Sequence, residues 1–207
     1  MKRFPVFVEI WLLSFMVCAV VVALSFAHLD LPIALHFWGV SPSLSYLNTA
    51  FGSAVILSLE SAVALGLILA RFVRGHISRF GATLAIACLA SICTYGINSG
   101  VLKPFLGVPI PAEVMEGARH SFNFLGGSGN SSFPSGHMVL AGAFAGVFMS
   151  LYRASVWLLS GLLVLAAGLL VIGDWHFLSD VIAGTFVGLS AGILAGEAWI
   201  VHAKLRS

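Results

Sequence analysis

The chain has 207 residues, 59% of them hydrophobic and 9% charged, with a mean hydropathy of +1.05 and a net charge of +2. A soluble globular domain carries about 25% charged residues, so this composition excludes one and points to an integral membrane protein. Its ten basic residues are dispersed rather than clustered, which argues against nucleic acid as a partner.

Six apolar segments, at about 5–27, 47–70, 81–101, 136–152, 155–173 and 180–202, reach or approach the roughly 20 residues that span a bilayer. They predict an all-α membrane protein, a six-transmembrane-helix bundle in a single domain over residues 1–207, since no repeat, heptad or low-complexity linker divides the chain. Lys2, Arg3, Arg71, Arg74, Arg79, Arg153, Lys204 and Arg206 then fall on one face, and only Lys103 and Arg119 on the other. By the positive-inside rule both termini are cytoplasmic, and the connections after helices one, three and five face the exterior of a bacterial-type inner membrane. A second reading of the N-terminus is a secretory signal ending near Ser25 and Ala27; Glu9 and the length of the apolar run weigh against it. Cys18, Cys88 and Cys93 lie in apolar stretches at spacings that match no zinc or disulfide pattern and read as small core residues.

After the first segment, Asp30, Pro32, His36 and Trp38 stand among apolar residues, as in a segment lying on the membrane surface that could shape a lipid entrance. Glu60, near the middle of the second segment, is an ionisable group at membrane depth. Pairing with Thr94, Tyr95, Asn98 or Ser99 of the third segment, or a proton or substrate role, would each account for it.

The third connection, about 102–135, is long for a helical bundle. It holds Lys103, Arg119 and His120, then the small residues Gly126-Gly127-Ser128-Gly129-Asn130-Ser131-Ser132 and finally Phe133-Pro134-Ser135-Gly136-His137. Pro134 is suited to open the fourth helix, whose first amides, around Ser135, Gly136 and His137, would then form an anion site. A flexible loop that merely enters a helix is the alternative.

His176 and Asp180, at the mouth of the sixth segment, are four residues apart and can share a helical face. The carboxylate can accept the Nδ1 proton of the imidazole and leave Nε2 as a nucleophile, while His137 can protonate a leaving oxygen. Alternatively, each histidine anchors its helix end at the interface, as Trp175 is expected to do, or the two histidines and Asp180 are ligands for a metal ion in a hydrolase or transporter.

Pro134-Ser135-Gly136-His137 and His176-x-x-x-Asp180-Val181-x-Ala183-Gly184 resemble the second and third signature motifs of the type 2 phosphatidic acid phosphatase superfamily. Lys103, with Phe105, Gly107 and Pro111, resembles the first, and the likeness covers about residues 81–202. It implies six helices and hydrolysis of a lipid phosphate ester or an isoprenoid pyrophosphate, without a metal or other cofactor, through a phosphohistidine. It also implies roles by position: His176 as nucleophile, Asp180 as its orienter, His137 as the acid, and Lys103, Ser135 and Gly136 as phosphate-binding residues. Three arginines of the family pattern are replaced, by Val108, Ile110 and Leu170. Loss of one such donor typically costs about 3 to 4 kcal/mol of transition-state stabilisation. Arg119, the one outer-face arginine, is the candidate replacement in the phosphate clamp, against the alternative of a solvated residue near Glu113 and Glu116. Asp174, two residues before His176, opposes an anion but would raise the basicity of the imidazole. A relative that retains the fold and binds or moves a phospholipid without cleaving it is the competing function.

Overall fold

The computed structural model describes residues 3–38 and 52–205; Lys2, Arg206 and the expected start of the second segment at 47–51 lie outside them. Among the described residues every regular element is helical. Helix α1 is Arg3–His28, α2 Asp30–Phe37, α3 Ser53–Arg74 and α4 Arg79–Ile97, which continues through a π turn, Asn98–Leu102, into the short α5, Lys103–Leu106. Then come α6 Pro111–Met115, α7 Gly136–Leu151, α8 Val156–Ile172 and α9 Leu178–Leu205.

Among the described residues, five stretches are long and apolar enough to cross a membrane: Val8–His28, Ser53–Arg74, Arg79–Met115, Arg153–Ile172 and Leu178–His202. The remaining expected segment forms α7, which has only 16 residues and a length of about 24 Å at 1.5 Å per residue, short of the roughly 30 Å hydrocarbon core. Its position accounts for the difference. Met138, Val139, Leu140, Ala143 and Val147 of α7 are all fully buried, so this helix is apolar all round because protein surrounds it. By contrast, α1, α3 and α8 present many exposed large apolar side chains, as lipid-facing helices do.

Helix α7 packs most extensively against α9 and next against α4, with α1 and α8 also on α9. The α7–α9 seam is built on glycine. A Cβ at Gly184 would stand 2.5 Å from the carbonyl oxygen of Ser135, one at Gly188 2.5 Å from that of Val139, and one at Gly146 2.9 Å from that of Leu189. Small residues at four-residue spacing, Gly142 and Gly146 facing Gly184, Gly188 and Gly192, let the two backbones touch. In lipid there is little hydrophobic drive between helices, so this close van der Waals packing is what holds the pair together.

The start of α7 differs from expectation. Ser135, not Pro134, is the boundary residue: its side chain accepts the Met138 N–H and the helix begins at Gly136, while the Phe133–Pro134 peptide bond before it is cis.

Gly188→Leu is expected to lower thermal stability in detergent by about 1 to 3 kcal/mol or more through overpacking. Gly161→Leu, at a position with nothing within 4 Å of an added Cβ, should leave the melting temperature nearly unchanged. Equal melting temperatures for the two variants would contradict the glycine seam.

Candidate active site

The two expected halves meet at the end of the α7–α9 seam. His176 lies just before α9, its amide bonded to the Leu170 carbonyl at 3.3 Å, and Asp180 lies in the first turn of that helix. The Asp180 side chain reaches back to accept the Phe177 N–H at 2.8 Å, the carboxylate half of a capping box. That bond fixes Oδ2, which then stands 3.5 Å from His176 Nδ1. Ser132 donates its hydroxyl proton to the same oxygen and lies 3.4 Å from His176 Nδ1. Both His176 and Asp180 are buried, at 7% and 0% exposure.

This arrangement assigns the proton. A carboxylate only accepts, and the Ser132 hydroxyl has given its hydrogen to that carboxylate, so Nδ1 must carry the proton directed at both. In the neutral imidazole Nε2 of His176 then keeps its lone pair. It lies 3.4 Å from His137 Nδ1, with the rings at 71° to one another. A nitrogen lone pair at that contact requires His137 Nδ1 to be the donor. Ser132, which spacing could not distinguish from its neighbours in the Gly/Ser loop, is thus part of the cluster.

The remaining predicted residues occupy four settings. Gly136 and His137 occupy the first turn of α7, where amides emerge from the helix end. Ser135 is fully buried; its hydroxyl caps Met138 and its N–H donates to the Asp180 carbonyl at 3.0 Å, so it joins the two halves. Lys103, at the start of α5, is 7% exposed and interacts electrostatically with Asp180. Arg119 is exposed on the long loop and forms no ion pair with a described carboxylate.

The positions of the replaced arginines are occupied by apolar packing. Val108 is fully buried with Phe133 and Ala183, and Leu170 is buried with Met138 and Val181, a cluster against which Trp175 also packs. Ile110 donates its N–H to Glu113 at 3.2 Å and begins α6. Glu60 lies beside Ser91 of α4, one turn below the partners expected. Thr94 bonds instead to Ala90 at 2.6 Å, and Asn98 donates to the Pro134 carbonyl at 3.2 Å.

His120, next to Arg119, turns inward. Its Nε2 is 3.5 Å from Asp30 Oδ2, and its ring lies 4.1 Å from that of Phe26 and 4.4 Å from that of Phe177. Burial pushes the Asp30 carboxyl up to about 6 against the opposing effect of its Ser179 hydrogen bonds, and burial lowers the His120 imidazole. The expected surface segment therefore begins with a fully buried carboxylate, although Leu31, Leu35 and Trp38 beyond it are exposed.

Asp174 is buried in a left-handed conformation, φ 52°, and neither carboxylate oxygen has a hydrogen-bond partner among the described residues. Burial raises its carboxyl to about 6. Because the folded value lies above the unfolded one, ionisation disfavours the fold as pH rises from about 4 through about 6. Asp174→Asn, which tolerates the same backbone, should raise the melting temperature at about pH 8 and much less at about pH 4. An equal effect at the two values would contradict a charge-based cost.

No curated protein and no solved structure matches the chain. A family model described as PAP2 superfamily matches residues 80–202, a stretch that contains α4 from its second residue, the long loop, His137, His176 and the whole glycine seam. This family generally comprises phosphatases. With His137 of one motif in contact with His176 of the other, and Asp180 behind it, the chain belongs to the PAP2 superfamily, that of the type 2 phosphatidic acid phosphatases.

Proposed function

We propose that this protein is a membrane-embedded lipid phosphatase or pyrophosphatase that works at the outer leaflet through a phosphohistidine. The observation that carries this reading is the polarity of His176: Nδ1 faces Asp180 and Ser132, and Nε2 faces His137 at 3.4 Å. In the proposed reaction the phosphorus enters between the imidazoles, which must part to admit it. His176 Nε2 forms the N–P bond as the P–O bond to the lipid breaks, and His137 gives its proton to the departing oxygen. Water then attacks the phosphohistidine, passes a proton to His137 and releases inorganic phosphate, restoring both histidines. Asp180 holds the imidazole tautomer and balances the charge that develops on it.

Lys103 and the first-turn amides of α7 supply the phosphate contacts, and Arg119 joins them if the loop folds inward on the substrate. In this reading α7 is the sixth crossing, its shortness met by burial within the bundle. The eight-to-two distribution of basic residues supports cytoplasmic termini in a bacterial-type inner membrane, with residues 1–207 as one domain. Isoprenoid pyrophosphates and glycerolipid phosphates are the substrate classes to test.

The packing of Val108 and Leu170 into apolar clusters favours a second reading, a non-cleaving relative that binds or moves a phospholipid, because guanidinium groups have no place there.

Phosphate release by purified protein should be measured on a panel of phospholipids and prenyl pyrophosphates with EDTA present. Release is expected from at least one substrate, to fall to background in His176→Ala, and to fall by about 10⁴-fold in kcat in Asp180→Asn, the order found when an orienting carboxylate is neutralised. Absence of release from every substrate by the unaltered protein would support the binding relative, and release abolished by EDTA would support a metal-dependent hydrolase.

A further inference from the structure

A second polar cluster lies behind the histidine pair and is assembled from three distant parts of the chain. Asp30, in the first turn of α2, accepts the Ser179 N–H at Oδ1 (2.9 Å) and the Ser179 hydroxyl at Oδ2 (2.5 Å). His120, from the long loop, brings Nε2 to 3.5 Å from the same Oδ2 without a hydrogen bond, and its ring is seated by packing against Phe26 of α1 and Phe177. Asp30, Ser179 and Phe177 are each at most 1% exposed.

The location of these contacts gives them meaning. Ser179 immediately precedes Asp180, and Phe177 immediately follows His176. Every residue from 176 to 180 is therefore held either in the histidine cluster or in this one, Leu178 through its backbone N–H toward Asp30. A carboxylate at the first turn of α9 also satisfies an amide that the helix itself leaves unpaired and complements the positive end of its dipole. Asp30 thus does from another helix what a capping residue does locally. The segment it fixes is the one whose register sets Asp180 Oδ2 against His176 Nδ1.

We propose that Asp30 and His120 are positioning residues: Asp30 clamps the first turn of α9 through Ser179, and His120 locks the long loop onto that clamp, so that the His176–Asp180 pair is preorganised. The proposal rests on the reading of His176 as the nucleophile for its catalytic consequence, and on geometry alone for the clamp. Neither residue touches the reacting atoms. Preorganisation of this kind governs the rate of the chemical step rather than substrate affinity, because it fixes a group that changes charge in the transition state.

The test compares the unaltered full chain, Asp30→Asn and His120→Gln in detergent, with amide hydrogen exchange and kinetics read separately. Loss of a hydrogen bond to a charged acceptor corresponds to roughly a ten- to hundredfold change. Exchange in the peptide from His176 to Val181 should accelerate by that factor in Asp30→Asn, with α8 unchanged. Exchange around His120 should accelerate in His120→Gln. In Asp30→Asn kcat should fall by about tenfold or more, and in His120→Gln, which removes ring packing rather than a hydrogen bond, it should fall measurably, with KM retained in both. Unchanged exchange at the start of α9 would overturn the clamp, and faster exchange with unchanged kcat would overturn its role in positioning. If Asp30→Asn does not fold, His120→Gln decides by the same two readouts. If the unaltered protein releases no phosphate from any substrate, the phosphatase reading falls, while the exchange measurement still decides whether the clamp exists.

Discussion

The contact of two backbones along a row of glycines is the constraint on which the site depends. His137 starts α7 and His176 precedes α9, so the distance between their rings follows from how closely those helices approach. With side chains at Gly184, Gly188 or Gly192 the helices would separate, and the imidazoles at their ends would separate with them. The Ser135 amide, bonded to the Asp180 carbonyl at 3.0 Å, continues the same close approach into the site. Glycine therefore acts at a distance from the chemistry, through packing, in a medium where hydrophobicity gives helices little reason to associate.

Asp180 is the second organising element. One of its oxygens meets Ser132, the Phe177 amide and His176, so the carboxylate caps its own helix and orients the histidine with the same atom. This coupling ties the tautomer of His176 to the integrity of the first turn of α9. It also explains why the outer loop and the α1–α2 junction converge there: Ser132, His120 and Asp30 each reach that turn from elsewhere in the chain. The proposed phosphate grip is less well provided. The side chains at the replaced arginine positions 108 and 170 pack with Phe133, Ala183, Met138 and Val181, leaving Lys103 as the buried cation beside Asp180.

Much of this was legible in the sequence. Hydropathy located the helices because apolar runs in lipid leave few other solutions, and the two histidine motifs come together as their spacing and sidedness suggested. The role of α7 as a short, largely buried hub was not legible, since periodicity cannot show whether an apolar helix faces lipid or protein. Ser132 looked like its loop neighbours; only the fold places its hydroxyl at Asp180. Adjacent loop residues pointed in opposite directions, with Arg119 in solvent and His120 between two phenylalanines, a choice made by tertiary stacking. Asp30 read as part of a surface segment because its partner, Ser179, is 149 residues away.

The proposed phosphatase reaction requires that His176 Nε2 become bonded to phosphorus during turnover. The most direct measurement is mapping of phosphate in protein quenched during turnover under alkaline conditions, which preserve phosphohistidine. An acid-labile phosphate is expected on the peptide that contains His176, located on that residue. Phosphate on Ser132 or His137 instead, or turnover with no phosphorylated peptide at any time, would contradict it.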